Sequence, residues 1–288
     1  MITIKGWLVV NGFLNSNKFN EIYDWLKAAF EKRGHTIEVY TNTELASVDD
    51  IRYKPDFVLF WDKDIPLAKR LEKIGLKLFN SSKAIENCDN KALTYIELEN
   101  KVPMPETIIA PMTYRNIGYN NTDFVYDAIK KLGLPLVIKE CYGSFGQQVY
   151  LAESTDEALN IVRNTREPLI FQKFIAESRG RDIRINMVGG KAVTAMMRYN
   201  ESDFRANITN GGSMVPYTPD GNETALAEKV CKILELDFGG VDILFSERGP
   251  LVCEVNSNAH FKNIYDCTGV NVADCIVEHV ECGVRNEE

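Results

Sequence analysis

The sequence predicts an α/β protein with α+β lobes that opens on a small parallel-sheet lobe. Three observations carry that prediction. Over residues 1 to about 90, short apolar runs alternate with helical patterns, as in a parallel sheet with crossover helices. Farther on, a glycine-bearing segment joins two strand-like runs, 136–139 and 148–152, as hairpin partners. Late in the chain, two apolar runs at 241–245 and 251–256 carry acids where a core strand ordinarily has none. At 288 residues the chain is too long for one small core and suits two or three compact lobes.

Taken in order, Gly6 to Val10 is an apolar run ended by Asn11-Gly12, read as a buried strand and its turn. Phe19, Ile22, Tyr23, Leu26, Ala29 and Phe30 recur at helical spacing, and Gly34 follows as a stop. His35 to Tyr40, Phe57 to Trp61 and Leu76 to Phe79 are strands, with a helix from Ile65 to Ile74 before the last. Ser81-Ser82 caps a helix that continues through Asn87, and Asp89-Asn90-Lys91 leads into another over Ala92 to Leu98. Val102-Pro103-Met104-Pro105 forces an extended stretch. Strands are then expected at Thr107 to Ala110, Leu136 to Lys139, Gln148 to Ala152 and Leu169 to Phe174, and helices at Phe124 to Lys131 and Thr155 to Arg163. The last third offers strands at Arg181 to Val188, Lys191 to Tyr199, Val241 to Phe245 and Leu251 to Asn256. Helices are expected there from Thr224 to Leu234 and from Val272 to Cys282, before a polar tail at 286–288. The expected division is an N-terminal α/β domain at 1–90, a central subdomain with a flexible glycine loop at 91–176, and a C-terminal subdomain carrying a metal site at 177–288.

Composition narrows the function. The net charge of −8 and the lack of a basic stripe argue against nucleic acid as a partner. No apolar stretch approaches the roughly 18 residues a membrane helix needs, so no membrane association is expected. The seven cysteines are odd in number and form no Cys-x-x-Cys pair, which reads as a reducing, cytoplasmic setting.

The chemistry concentrates late. In Leu251-Val252-Cys253-Glu254-Val255-Asn256, strand alternation puts Glu254 and Asn256 on one face. Asp242 is a single carboxylate in the apolar run Val241 to Leu244, and adjacent strands would bring all three together. Three oxygen ligands without sulfur or imidazole suit magnesium, which keeps positions open for phosphate oxygens. Gly143-Ser144-Phe145-Gly146-Gln147-Gln148 follows Lys139 and would let backbone amides approach phosphate, although no Gly-Lys-Ser/Thr follows as in a Walker loop. An ordinary hairpin turn is the alternative for that loop, and a plain core strand the alternative for 169–175 as an adenine-reading hinge. Arg179 and Arg181 read as a solvated face. Arg184 and Arg205 sit beside apolar residues and are better oxyanion clamps. His35 and His279 read as structural.

Taken together, Asp89-Asn90-Lys91, Val137 to Lys139, Gly143 to Val149, Gln172 to Ile175, Gly180 to Arg184, Asp203 to Asn207 with Gly211-Gly212, Gly240 to Leu244, and Gly249 to Asn256 resemble the ATP-grasp superfamily. Within it, the resemblance is to the RimK-like ligases that attach glutamate to a carboxyl terminus. It implies an ATP-grasp fold with an N-terminal pre-ATP-grasp lobe, and an ADP-forming ligase working through an acyl phosphate. It implies ATP and two magnesium ions, for which manganese can substitute, with a carboxylate acceptor and an amino-acid or amine donor as partners, in a possible homo-oligomer. By the same resemblance Lys91 and Lys139 hold phosphates under the loop of Gly143, Ser144 and Gly146. Gln172, Lys173, Phe174 and Ile175 face adenine, with Asp182 near the ribose. Arg205 and Asn207 serve the γ-phosphate and the acyl phosphate, and Asp242, Glu254 and Asn256 the metals. The competing readings are an ATP-grasp kinase and a non-catalytic ATP-binding regulator. The sequence departs from the pattern after Asn256. Ser257-Asn258-Ala259-His260 stands where Ser-Pro-Gly is usual, and the arginine pair before Asp203 is reduced to Met197-Arg198. Arg184, Asn258 and His260 are therefore the expected substrate contacts.

Overall fold

The computed structural model describes residues 3–14, 16–47, 54–143 and 146–285. Three sheets are each assembled from one stretch of the chain. The first is fully parallel, in the order β2-β1-β3-β4: β1 is Lys5–Val10, β2 Thr36–Thr41, β3 Phe57–Trp61 and β4 Leu78–Phe79. All five residues of β3 are buried, as expected for a central parallel strand covered on both faces. Helices α1 (Asn17–Lys32), α2 (Asn42–Leu45), α3 (Ile65–Lys73) and α4 (Ser82–Asp89) complete the lobe. Capping sets the ends: Asp64 accepts from Leu67 N at the start of α3, and Ser81 accepts from Ala84 N at the start of α4. Asn90 closes α4 and opens α5 (Lys91–Leu98), accepting from the amides of Ala92 and Leu93. Lys91 therefore sits in the first turn, with its amide on the Cys141 carbonyl at 3.0 Å.

The second sheet is antiparallel, in the order β5-β8-β6-β7: β5 is Thr107–Ile109, β6 Leu136–Glu140, β7 Val149–Ala152 and β8 Leu169–Lys173. Helices α6 (Asp123–Leu132) and α7 (Thr155–Asn164) pack on it. The third sheet is also antiparallel, in the order β11-β10-β9-β12-β13. Its strands are β9 Arg181–Val188, β10 Lys191–Tyr199, β11 Ser213–Pro216, β12 Phe238–Leu244 and β13 Leu251–Asn256. Helices α8 (Gly221–Leu234), α9 (Lys262–Thr268) and α10 (Val272–Arg285) belong to the same stretch. Strands β9, β10, β13 and β3 coincide with their sequence limits. The sequence did not indicate α2, β11 or α9. Residues 286–288 and Ser144-Phe145 lie outside the described residues. No helix among the described residues is long and apolar enough to cross a membrane.

The first lobe is welded to the third sheet. Asn80 is fully buried; its Oδ1 accepts from Asp237 N (2.7 Å) and Phe238 N (3.2 Å), and its Nδ2 donates to the carbonyls of Phe238 (2.9 Å) and Ser257 (3.1 Å). Trp61 stacks on Phe238 with centroids 5.3 Å apart. At the far edge, Arg33 grips Glu281 of α10 with Nε at 2.9 Å and Nη2 at 2.7 Å, and the same carboxylate bonds buried His35. The Arg33 hydrogen bonds, helped by His35 and working against desolvation, pull the Glu281 carboxyl down to about 2 from an ordinary 4.5. A depressed carboxyl stabilises the fold above its unfolded pKa. That contribution is lost as pH falls from about 4.5 through about 2. Glu281→Ala should cost about 2 kcal/mol, because it leaves buried His35 without its carboxylate and Arg33 with Glu278 alone. Denaturant titration at pH 7 should show the loss, and the variant's stability should fall less steeply than wild type below pH 4.5.

Candidate active site

Two cavities meet between the second and third sheets and the first lobe. The smaller, of about 90 Å³, is lined by Lys139, Gly146, Gln172, Lys173, Phe174, Ile175, Asp182, Arg205, Asp242 and Cys253, among others. The larger, of about 530 Å³, runs from Arg184 and Asn256 to the first lobe at Asn11, Lys18, Trp61 and Asp62. Arg198, Asn207 and Glu254 line both.

The expected metal residues come together by strand register. Asp242 on β12 faces Glu254 on β13, and Gly240 faces Asn256. The register slips just beyond, where Ile243 pairs with Val252, so Cys253 is an extra residue in β13. That bulge turns both Cys253 and Glu254 toward the smaller cavity, a re-aiming typical of bulges beside active sites. Plain alternation does not reveal it.

Asp242 is not the lone carboxylate its sequence surroundings suggest. Its register partner on β9 is Arg184, whose Nε and Nη2 reach Oδ1 at 2.7 Å and Oδ2 at 2.6 Å. Arg198 Nη2 adds a contact at 3.0 Å. Arg198 also holds both oxygens of Asp182, at 2.7 and 2.6 Å. The order is thus Arg184, Asp242, Arg198, Asp182. Burial pushes the Asp242 carboxyl up, but the two guanidinium groups overcome it and hold it below the usual carboxylate range. At Asp182, burial outweighs its arginine neighbours and the carboxyl is pushed up. Asp182 was expected at the ribose. Both its oxygens are engaged by Arg198, because β10 places Arg198 directly opposite it.

The cationic side of the smaller cavity fits a polyphosphate. Lys139 is only 5% exposed and its Nζ lies 3.5 Å from Cys253 Sγ, with no carboxylate partner among the described residues. A buried ammonium without a counter-ion is a standing receptor for an anion. Lys91 Nζ lies 3.5 Å from Glu254 Oε1 and 3.3 Å from the Gly143 carbonyl. Arg205 is clamped by Asp203 (3.0 and 2.7 Å) and donates to the carbonyls of Gly146 (2.8 Å) and Val149 (3.3 Å), so it holds the glycine loop. Ser144 lies outside the described residues.

Gly146 has φ +72, and a Cβ there would stand 2.5 Å from Asn207 Oδ1. Only glycine allows the loop to rest on Asn207 in this conformation. Gly146→Val should raise the KM for ATP about tenfold through loss of the closed loop, with the melting temperature unchanged; initial rates against ATP concentration measure this.

The donor set also fits magnesium. Glu254 and Asn256 share a face of β13 with Asp242 in register, and all three side chains offer oxygen ligands. Among the described residues, no three His, Cys, Asp or Glu side chains gather as a purely acidic or thiol metal site. The remaining sequence candidates divide between the cavities. Gln172 Nε2 donates to Thr107 Oγ1 at 3.1 Å and orients the wall beside Lys173, Phe174 and Ile175. Asn258 Nδ2 donates to the Asp62 carbonyl (2.9 Å), and His260 Nε2 pairs with the Lys18 carbonyl (2.9 Å). Asn258 and His260 thus tie the divergent loop to the first lobe. Sequence reasoning did not single out Asp62, since Trp61-Asp62-Lys63-Asp64 has the look of a polar turn.

The family model described as the RimK-like ATP-grasp domain matches residues 89–280. The chain is a RimK-like ATP-grasp ligase. A probable alpha-L-glutamate ligase of Vibrio atlanticus is 34% identical over 279 residues, covering 89% of this chain and 90% of that one. Human N-acetylaspartylglutamate synthase A is 34% identical over 234 residues, 79% of this chain but 58% of the synthase. The crystal structure of D-alanine–D-alanine ligase from Bacillus anthracis complexed with ATP superposes with a TM-score of 0.75 at 16% identity, covering 100% of both chains, which establishes a shared fold. ATP-grasp ligases use ATP and magnesium, and the family joins carboxylates to amines.

Proposed function

We propose that this RimK-like ligase adds an amino acid, with L-glutamate as the first choice, to a small-molecule or peptide carboxylate. The observation that supports this most is the meeting of the two cavities at Arg198, Asn207 and Glu254. A nucleotide seated in the smaller one directs its terminal phosphate toward the larger, which has room for two small acids. Glutamate is favoured because the names of both relatives contain it.

In the reaction, a carboxylate oxygen of the acceptor attacks the γ-phosphorus of ATP, and ADP leaves. The amino group, once it has given up its ammonium proton to solvent, attacks the acyl carbon through its nitrogen lone pair, the C–N bond forms, the C–O bond to phosphate breaks, and inorganic phosphate leaves as the nitrogen sheds its second proton. Lys91, Lys139 and Arg205 neutralise oxygens of the triphosphate, which is most of what phosphoryl transfer asks of a protein. Asp242, Glu254 and Asn256 would hold magnesium, which when bound would supply the remaining charge neutralisation. The glycine loop, tied by Arg205, excludes water from the acyl phosphate. Free thiols at all seven cysteines suit a cytoplasmic enzyme.

The test is ADP release with N-acetyl-L-aspartate, citrate and a peptide ending in glutamate, each with and without L-glutamate. Release that needs both partners supports the reading. Release with a carboxylate or alcohol alone and no amide product refutes it.

A further inference from the structure

The far end of the larger cavity, against the first lobe, carries an imbalance of hydrogen-bonding groups. Asp62 follows β3 and is 5% exposed. Its Oδ1 accepts from Asn11 Nδ2 (3.0 Å) and from the Lys63 amide (2.7 Å), while its Oδ2 is buried without a partner. No cation pairs with Asp62 among the described residues: the neighbouring Lys63 ammonium goes to Asp89 instead. Burial accordingly pushes the Asp62 carboxyl up.

Two further acceptors sit in the same wall. The Asp62 carbonyl can only accept, so the Asn258 atom facing it at 2.9 Å must be the NH₂ group. That orientation leaves Asn258 Oδ1 as the amide's remaining acceptor, and it is buried without a partner. The same logic applies to His260. Its Nε2 faces the Lys18 carbonyl at 2.9 Å and must carry the hydrogen. Burial holds this imidazole below its ordinary pKa, so it is neutral and Nδ1 presents a lone pair, again buried and unpartnered. Three residues that line one cavity thus each hold a buried acceptor without a donor: Asp62 Oδ2, Asn258 Oδ1 and His260 Nδ1. Buried acceptors without donors are costly, and one ionised group among them costs most. A primary ammonium carries three N–H donors and one positive charge.

We propose that Asp62, Asn258 and His260 form an ammonium subsite that receives the charged amino group of the amino-acid substrate. The assignment rests on the ligase reading above and extends it, by placing the amine donor against the first lobe and leaving the acceptor carboxylate the Arg184 end. It also gives the divergent Ser257-Asn258-Ala259-His260 segment a purpose, because Asn258 and His260 are two of the three ligands.

The test is equilibrium binding by calorimetry to the full chain with ADP and magnesium, so it does not depend on turnover. The probes are L-glutamate, L-alanine and L-lysine, each against the acid lacking its α-amino group: glutarate, propionate and 6-aminohexanoate. At least one amino acid should bind wild type about tenfold or more tighter than its counterpart, the range of a charge-assisted contact. Asp62→Asn, which preserves shape, should erase that preference while leaving ADP affinity within about twofold. Loss of preference in Asn258→Ala would support the same subsite. Wild-type chain that binds every pair equally, or Asp62→Asn that keeps the preference, overturns the subsite. Failure of the ligase reading is read separately, as absence of amide product in the ADP-release assay.

Discussion

Asp242→Asn and Glu254→Gln are each expected to lower kcat about a thousandfold at saturating ATP and magnesium, the scale on which loss of one preorganised electrostatic group acts. The two should differ in stability. Asp242 is 3% exposed and neutralises parts of buried Arg198 and part-buried Arg184. Its conversion to an amide leaves Arg184 without a carboxylate and Arg198 with Asp182 alone, so unfolding should become easier by about 3 kcal/mol. Glu254 is more exposed and pairs loosely with Lys91 at 3.5 Å, so Glu254→Gln should lose activity at nearly unchanged melting temperature. Steady-state rates beside thermal melts separate these outcomes. Wild-type rates in Glu254→Gln would remove this residue from the metal site.

Lys139→Met should raise the KM for ATP about a hundredfold, since a hydrogen bond to a charged group is worth up to about 3 kcal/mol. Yet it should not destabilise the free protein. Lys139 is buried beside Cys253 with no carboxylate partner among the described residues. Methionine removes an uncompensated charge while filling a similar volume, so the melting temperature without nucleotide should hold or rise. With saturating ATP, the wild type should gain more than the variant. Opposite signs in affinity and stability mark a residue kept for its ligand rather than for the fold. A fall in both would make Lys139 structural.

How much of this was legible in the sequence varied by element. Phe57–Trp61 was legible through apolar continuity, and Arg181–Val188 through the alternation of Ile183, Ile185 and Met187 with polar residues. Strand Ser213–Pro216 was not: four residues on a sheet edge, half of them exposed, carry no period, and their pairing to Met196–Tyr199 is a tertiary matter. The site was legible as a set of residue types but not as a network. The alternation that put Glu254 with Asn256 held, yet nothing local announces that Arg184, 58 residues before Asp242, would be its hydrogen-bonded partner across a strand pair. The bulge at Cys253 was hidden for the same reason, as it exists only relative to β12. Asp62 was passed over because its meaning depends on Asn258, 196 residues later.

In this structure the Asp242 oxygens answer to Arg184 and Arg198. A carboxylate so engaged is a weaker metal ligand than a free one, and a bound anion that recruits Arg184 would release it. Under the proposed metal assignment, carboxylate binding and metal binding would be coupled through one side chain, and each should strengthen the other.

We propose that the acceptor carboxylate is activated as an acyl phosphate in the larger cavity. It is tested most directly by running the reaction with acceptor labelled with ¹⁸O in its carboxylate and analysing the released phosphate by mass spectrometry. One labelled oxygen should appear in inorganic phosphate for each amide bond formed. Phosphate carrying no label while amide accumulates, or release of AMP in place of ADP, would contradict the account.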